Sequence, residues 1–282
     1  MRIGINTFLF TFPFTNQSVE MFPQFKKWVF DSVEIAIDDP DAIDPQLIRS
    51  ALDKSGLVCG SICGVFGPGR DLRGTIEEQQ TSLSYVSKVI EMMSTLGCKT
   101  FAGPLYSTVG RAQAVPPEEY LEQWKTVRGH LTTLAKLAEK KGVVLALEPL
   151  NRFETDFINT ADQALEMINA VGNKALKIHL DTFHMNIEEK NQAAAILKVG
   201  ANLGHFHACG SDRGTPGGDA IDWAGIKLSL NKIGYQGDLV IESFTQDVKA
   251  IARAAAIWRF IEPSNTDIAV KGLAFLRKTF AS

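Results

Sequence analysis

Short apolar runs rich in β-branched residues alternate with longer segments of helical period along the whole chain, and no linker rich in Pro, Gly and Ser interrupts the rhythm. The runs at 2–8, 32–37, 57–63, 99–102, 143–148, 176–181, 204–209 and 238–242 predict eight strands. Three of them, VVLAL, LKIHL and LVIES, are nearly continuous apolar stretches, as expected of parallel strands covered on both faces. Between the strands the period changes. From 118 to 140, Leu121, Trp124, Val127, Leu131, Leu134 and Leu137 recur every three or four positions with charges between them, which predicts an amphipathic helix with one face inward. A C-terminal helix is expected over 267–280. Eight βα units in 282 residues, about 35 each, fit an α/β fold of the (β/α)8 TIM-barrel type, one domain spanning 1–282. An open doubly wound sheet would carry a glycine fingerprint after its first strand, and NTFLFTFPF has no glycine.

Composition narrows the class. The chain is 45% hydrophobic and 22% charged with a formal net charge of -3, so a packed soluble core is expected and a basic face for nucleic acid is not. Cys59, Cys63, Cys98 and Cys209 stand singly in apolar stretches without CxxC spacing, which predicts reduced thiols and a cytoplasmic setting. The apolar N-terminus has one basic residue, Pro13 and no small-residue cleavage site, so it is expected to be a buried strand rather than a signal peptide. No stretch reaches the roughly 20 apolar residues of a membrane span.

In such a barrel the active site lies at the C-terminal ends of the strands. The last four predicted strands each end in a side chain able to hold a metal: Glu148 closes VVLALE, Asp181 closes KIHLD, His207 lies in GHFHACG and Glu242 closes LVIE. They are 33, 26 and 35 positions apart, close to one βα unit each, so four neighbouring strands would point one residue apiece into the same mouth. A single ionisable residue there could be a solvated salt bridge. Four at one mouth are costly unless coordinated or paired. Three carboxylates and an imidazole suit Mn²⁺, Co²⁺ or Mg²⁺ better than a thiolate-seeking structural zinc.

The segments LEPLNRFETDFINTA, HLDTFHMNIEE, GHFHACGSDRGTPGGDAIDW and VIESF resemble the signature segments of the ketose 3-epimerases, the group of D-tagatose, D-allulose (psicose) and L-ribulose 3-epimerases, and IWR at 257–259 fits as well. The match runs through the second half of the chain. The resemblance implies that Glu148, Asp181, His207 and Glu242 are metal ligands and that Glu148 and Glu242 double as the acid/base pair. It further implies substrate contacts for Glu154, His184 and Arg213, and assembly as a homodimer or homotetramer. The chain departs from the group's pattern at Gly210, where Glu is common, and in GPLYSTVGR, which has no Trp.

Chemistry independent of the resemblance points the same way. Epimerising a ketose at C3 removes a weakly acidic proton and returns one to the opposite face. A divalent ion would stabilise the resulting cis-enediolate, and two carboxylates flanking C3 can alternate as base and acid. His184 is then expected near O1 and O2 of the sugar, or else to be a capped loop histidine. Arg213, in a Gly- and Pro-containing loop, is expected at O2 or else on the surface. Glu154 either meets the C1 end of the ketose or pairs with Arg152. Cys63 closes the third strand and either lines the apolar wall of the pocket or is a small buried hydrophobe. His179 and His205 share the face of Asp181 and His207 by period two and are expected deeper in the barrel, not as further ligands. Phe8, Phe10, Phe12 and Phe14 form either an apolar lid over the far end of the sugar, with Phe8 contacting substrate, or packing in the core or a subunit interface. The expected reaction is C3 epimerisation of free ketoses. Aldose–ketose isomerisation and isomerisation or dehydration of a keto-inositol would use the same ion and carboxylates. Phosphodiester cleavage would need more histidines than the five present and a basic face.

Overall fold

The computed structural model describes residues 1–281; the expected domain 1–282 extends one residue, Ser282, outside them. Eight parallel strands close on themselves in sequence order, the first pairing with both the second and the eighth: β1 Ile3–Asn6, β2 Ser32–Ile37, β3 Val58–Gly64, β4 Thr100–Gly103, β5 Val144–Leu147, β6 Leu176–Asp181, β7 Leu203–His207 and β8 Leu239–Ile241. Around them run α1 Phe22–Lys27, α2 Pro45–Ser55, α3 Ile76–Leu96, α4 Pro117–Lys141, α5 Ala161–Val171, α6 Thr182–Glu188, α7 Gln192–Val199, α8 Trp223–Lys232, α9 Lys249–Ala254 and α10 Asn265–Phe280. The α/β barrel expected from the apolar rhythm is the observed fold. None of the described helices is long and apolar enough to cross a membrane.

Element boundaries follow local chemistry. β1 stops at Asn6, two residues short of the expected end, because the Asn6 side chain accepts the Phe8 N–H at 2.8 Å and turns 7–9 into a short 3₁₀ helix. β7 stops at His207 rather than 209, since the Cys209 N–H leaves the sheet and donates to Thr182 Oγ1 at 2.8 Å. Ser264 caps α10 by accepting the Asp267 N–H, so that helix begins two residues earlier than the periodicity predicts. α4 ends on Gly142 in the left-handed conformation, with φ 67°. Leu131, Leu134, Ala135 and Ala138 on its inner face are buried in the main core.

Two register shifts lie beside residues at the heart of the barrel. Between β2 and β3 the pairing slips at Val33/Glu34, so that Glu34 stands opposite Ser61. Between β6 and β7 it slips at Ile178/His179, after which His179 faces His205 and Asp181 faces His207. Bulges of this kind re-aim side chains. Here they lie beside four polar residues of the barrel interior, Glu34, Ser61, His179 and His205.

Candidate active site

Glu148 and Glu242 lie one residue beyond β5 and β8, and Asp181 and His207 are the last residues of β6 and β7. One ligand atom from each of the four falls within 4.8 Å of the others, and all four residues are buried. His207 Nδ1 is 3.2 Å from Glu242 Oε2 and 3.7 Å from Asp181 Oδ2. Arg213 spans the same two carboxylates, with Nη1 2.5 Å from Asp181 Oδ2 and Nη2 2.9 Å from Glu242 Oε2. Burial opposes ionisation of Asp181, yet Arg213 and His207 outweigh it and hold this carboxyl well below the ordinary range. Burial and the neighbouring Glu242 push Glu148 well above it. Burial works against a charged His207, but Glu34 and Glu242 prevail and raise its pKa well above the usual value.

Glu148 Oε1 and His207 Nδ1 are buried without a hydrogen-bond partner among the described residues. Buried polar atoms left without a partner are costly. A cation between the carboxylates and the imidazole would satisfy them, and the oxygen-rich donor set fits an ion of the Mn²⁺, Co²⁺ or Mg²⁺ type.

The substrate-contact candidates border one cavity of about 300 Å³, lined by Phe8, Cys63, Glu148, Glu154, His184, Arg213 and Glu242 among others. His184 lies on α6, with Nδ1 accepting the Asn151 backbone N–H at 3.1 Å, which leaves the proton on Nε2, 3.7 Å from Glu148 Oε1. Burial keeps its pKa below the ordinary value. It is therefore a neutral donor aimed into the cavity. Glu154 does not pair with Arg152, which instead reaches Glu188 at 2.9 Å; Glu154 Oε1 accepts from Asn151 Nδ2 at 2.8 Å. Arg213 is buried, not on the surface, and adopts φ 68°, a left-handed conformation costly for a residue with a side chain. Its guanidinium sits between the Phe183 and Phe244 rings, 4.7 Å from each centroid.

The aromatic run splits in two. Phe8 and Phe12 line the cavity, with Phe8 packed near Cys63 and Phe244, whereas Phe10 packs at a tilt against Phe25 and Trp28, and Phe14 stacks on Phe22. The far wall continues through Val65, Phe66, Pro104, Val109, Leu150 and Ile251. Polar groups thus gather at the barrel end of the cavity and apolar ones at the other.

Deeper in the barrel, His179 Nδ1 approaches Glu148 Oε2 at 3.5 Å and His205 Nε2 lies 2.6 Å from Glu34 Oε2. Glu34, which the strand-end pattern misses, accepts from His207 Nε2 at 2.7 Å, Asn6 Nδ2 at 2.7 Å and Ser61 Oγ at 2.5 Å. Asn6 Nδ2 also donates to Glu242 Oε1 at 3.2 Å. The signal for Glu34 is present in SVEIAI, a carboxylate inside a strand buried along its whole length.

A family model described as Xylose isomerase-like TIM barrel matches residues 22–279, and the chain belongs to that family. Within it, the chain belongs with the ketose 3-epimerases, enzymes of the isomerase class. It is 35% identical over 99% of its length to the protein named "Probable ketose 3-epimerase" of Synechocystis sp., covering 97% of that relative. It is 30% identical to the ketose 3-epimerase of Arthrobacter globiformis, over 98% of this chain and 96% of the other. A solved structure of L-ribulose 3-epimerase superposes with TM-score 0.91 at 30% identity, over 99% of this chain and 94% of that one.

Proposed function

We propose that the protein epimerises free ketoses at C3 through a cis-enediolate, with Glu148 and Glu242 as alternating base and acid. The observation that carries this reading is the pair of buried carboxylates at one end of the 300 Å³ cavity, on strand ends three positions apart in the barrel, where a bound sugar meets both. A divalent ion held by Glu148, Asp181, His207 and Glu242, Mn²⁺ or Co²⁺ and in second place Mg²⁺, supplies the positive charge that lowers the barrier to enolisation. His184 Nε2–H donates to a sugar oxygen, Arg213 binds the oxyanion side, and Glu154 meets the C1 end. Phe8 and Cys63 bound the apolar wall and exclude water. The domain acts as one unit over 1–282, in the cytoplasm, as a homodimer or homotetramer. The exposed Phe153, Trp258 and Phe260 support assembly by offering apolar surface.

The test is proton NMR of D-fructose, D-tagatose and L-ribulose incubated with Mn²⁺-loaded protein in D2O. Deuterium at C3 with the C3 epimer accumulating is expected. Exchange at C1 with an aldose appearing would move the assignment to aldose–ketose isomerisation, and no exchange in any ketose would favour a keto-inositol. Glu148→Gln and Glu242→Gln should each lower turnover by about 10²- to 10⁴-fold, the scale of a lost general acid or base.

A further inference from the structure

We infer that Glu34 is a positioning residue that sets the metal affinity of the site by fixing the tautomer and orientation of His207. The inference rests on the ion-site reading above and adds a residue from β2, a strand that supplies none of the four ligand candidates.

Glu34 is fully buried, and both of its oxygens are engaged. Oε1 accepts from Asn6 Nδ2 and His207 Nε2, each at 2.7 Å. Oε2 accepts from Ser61 Oγ at 2.5 Å and lies 2.6 Å from His205 Nε2. Three hydrogen bonds, from β1, β3 and β7, and the nearby His205 hold the carboxylate in this orientation, close to Cys63 and Glu242 but turned to its own partners. It acts through His207.

A neutral imidazole carries one proton. With Nε2–H donated to Glu34, the lone pair belongs to Nδ1, the atom that faces Asp181 and Glu242 across 3.7 and 3.2 Å. A ligand histidine whose other nitrogen is held by a carboxylate is fixed in orientation and made more basic, and loss of that carboxylate costs about 10- to 100-fold in metal affinity. Asn6 extends the same control to a second ligand, since its amide bridges Glu34 Oε1 and Glu242 Oε1. The slip between β2 and β3 makes the arrangement possible. It skips Gly60, where a Cβ would fall 2.1 Å from Asp238 Oδ2, and brings Ser61 opposite Glu34.

The experiment is Mn²⁺ titration of the metal-free protein, by calorimetry and by the electron-paramagnetic-resonance signal of free Mn²⁺, for wild type, Glu34→Gln and Ser61→Ala. Glu34→Gln is expected to weaken Mn²⁺ binding about 10- to 100-fold. Ser61→Ala, which removes a Glu34 partner without touching His207, should change it less than about threefold. Equal affinity of Glu34→Gln and wild type would overturn the inference alone. Wild-type protein that takes up no Mn²⁺ would overturn the ion-site reading as well. A second measurement needs no variant: ¹⁵N-histidine NMR of the wild-type protein loaded with diamagnetic Mg²⁺ should show His207 protonated at Nε2 only. A proton on Nδ1 would overturn the inference even if Glu34→Gln failed to fold.

Discussion

His207 and Glu148 are the two ligand candidates whose protons stand in the way of an ion. Glu34 and Glu242 overcome the burial of His207 and favour its imidazolium, while burial and Glu242 favour the protonated form of Glu148. Asp181 differs, because Arg213 already holds it ionised. Ligation requires a neutral imidazole and a carboxylate, so an entering cation must displace protons from the first two and none from the third. Mn²⁺ affinity should therefore rise with pH through both raised pKa values, by about tenfold per pH unit for each proton released. Calorimetry near neutral pH in two buffers of different ionisation enthalpy would count those protons. Affinity independent of pH would mean that binding displaces a proton from neither group. The linked effect on stability has a definite sign. Glu148 has a folded-state pKa above its unfolded value, so its contribution is fully present below the ordinary carboxylate range and lost as pH rises through the raised value.

At the scale of elements, the loops that leave the barrel line the cavity, and Arg73 ties three of them together. Its guanidinium donates to Ser107 Oγ at 2.9 Å, Gln123 Oε1 at 3.1 Å and the Arg111 carbonyl at 3.0 Å, and it pairs with Asp156. The loops after β3, β4 and β5 are thus fastened to α4. Arg73→Met would leave buried acceptors without a donor and should cost about 3 kcal/mol, the low end for a broken buried pair because Asp156 keeps some solvent. Arg49→Met, which removes a solvent-exposed pair with Asp53, should cost far less. Urea unfolding of the two variants makes the comparison, and equal losses would refute a fastening role. The same loops mark where the sequence stops being legible. Strand-end residues such as Asp181 stand out because each closes an apolar run at the spacing of one βα unit. Glu34 interrupts such a run, and its meaning depends on barrel closure, which carries the β2 side chain to β7. Likewise, no apolar pattern separates Phe8 and Phe12 from Phe10 and Phe14; the turn capped by Asn6 does. Arg213 was legible as a loop residue, but its left-handed backbone and its salt bridges belong to the folded loop.

For the whole molecule, the four ligand candidates come from β5, β6, β7 and β8, half of the closed barrel, and they converge only when all four strands are in register. The unfolded chain has no such site, so an ion bound there stabilises the folded state alone. At a free concentration one hundred times its Kd the gain is about 2.7 kcal/mol. For a chain somewhat above the size at which each kcal/mol moves Tm by about 2–4 °C, saturating Mn²⁺ should raise Tm by on the order of 5 °C, and EDTA should reverse the rise. Asp181→Asn should abolish most of this increment, whatever it does to the metal-free protein, because the increment is measured between metal-loaded and metal-free samples of the same variant. A loss of turnover alone could come from damage anywhere in the cavity. A missing thermal increment in Asp181→Asn, kept in a variant of an exposed site such as Arg49→Met, would tie the ion to the strand ends independently of any substrate. An increment that survives Asp181→Asn unchanged would place the ion elsewhere and remove the electrostatic basis for enolisation at this mouth of the barrel.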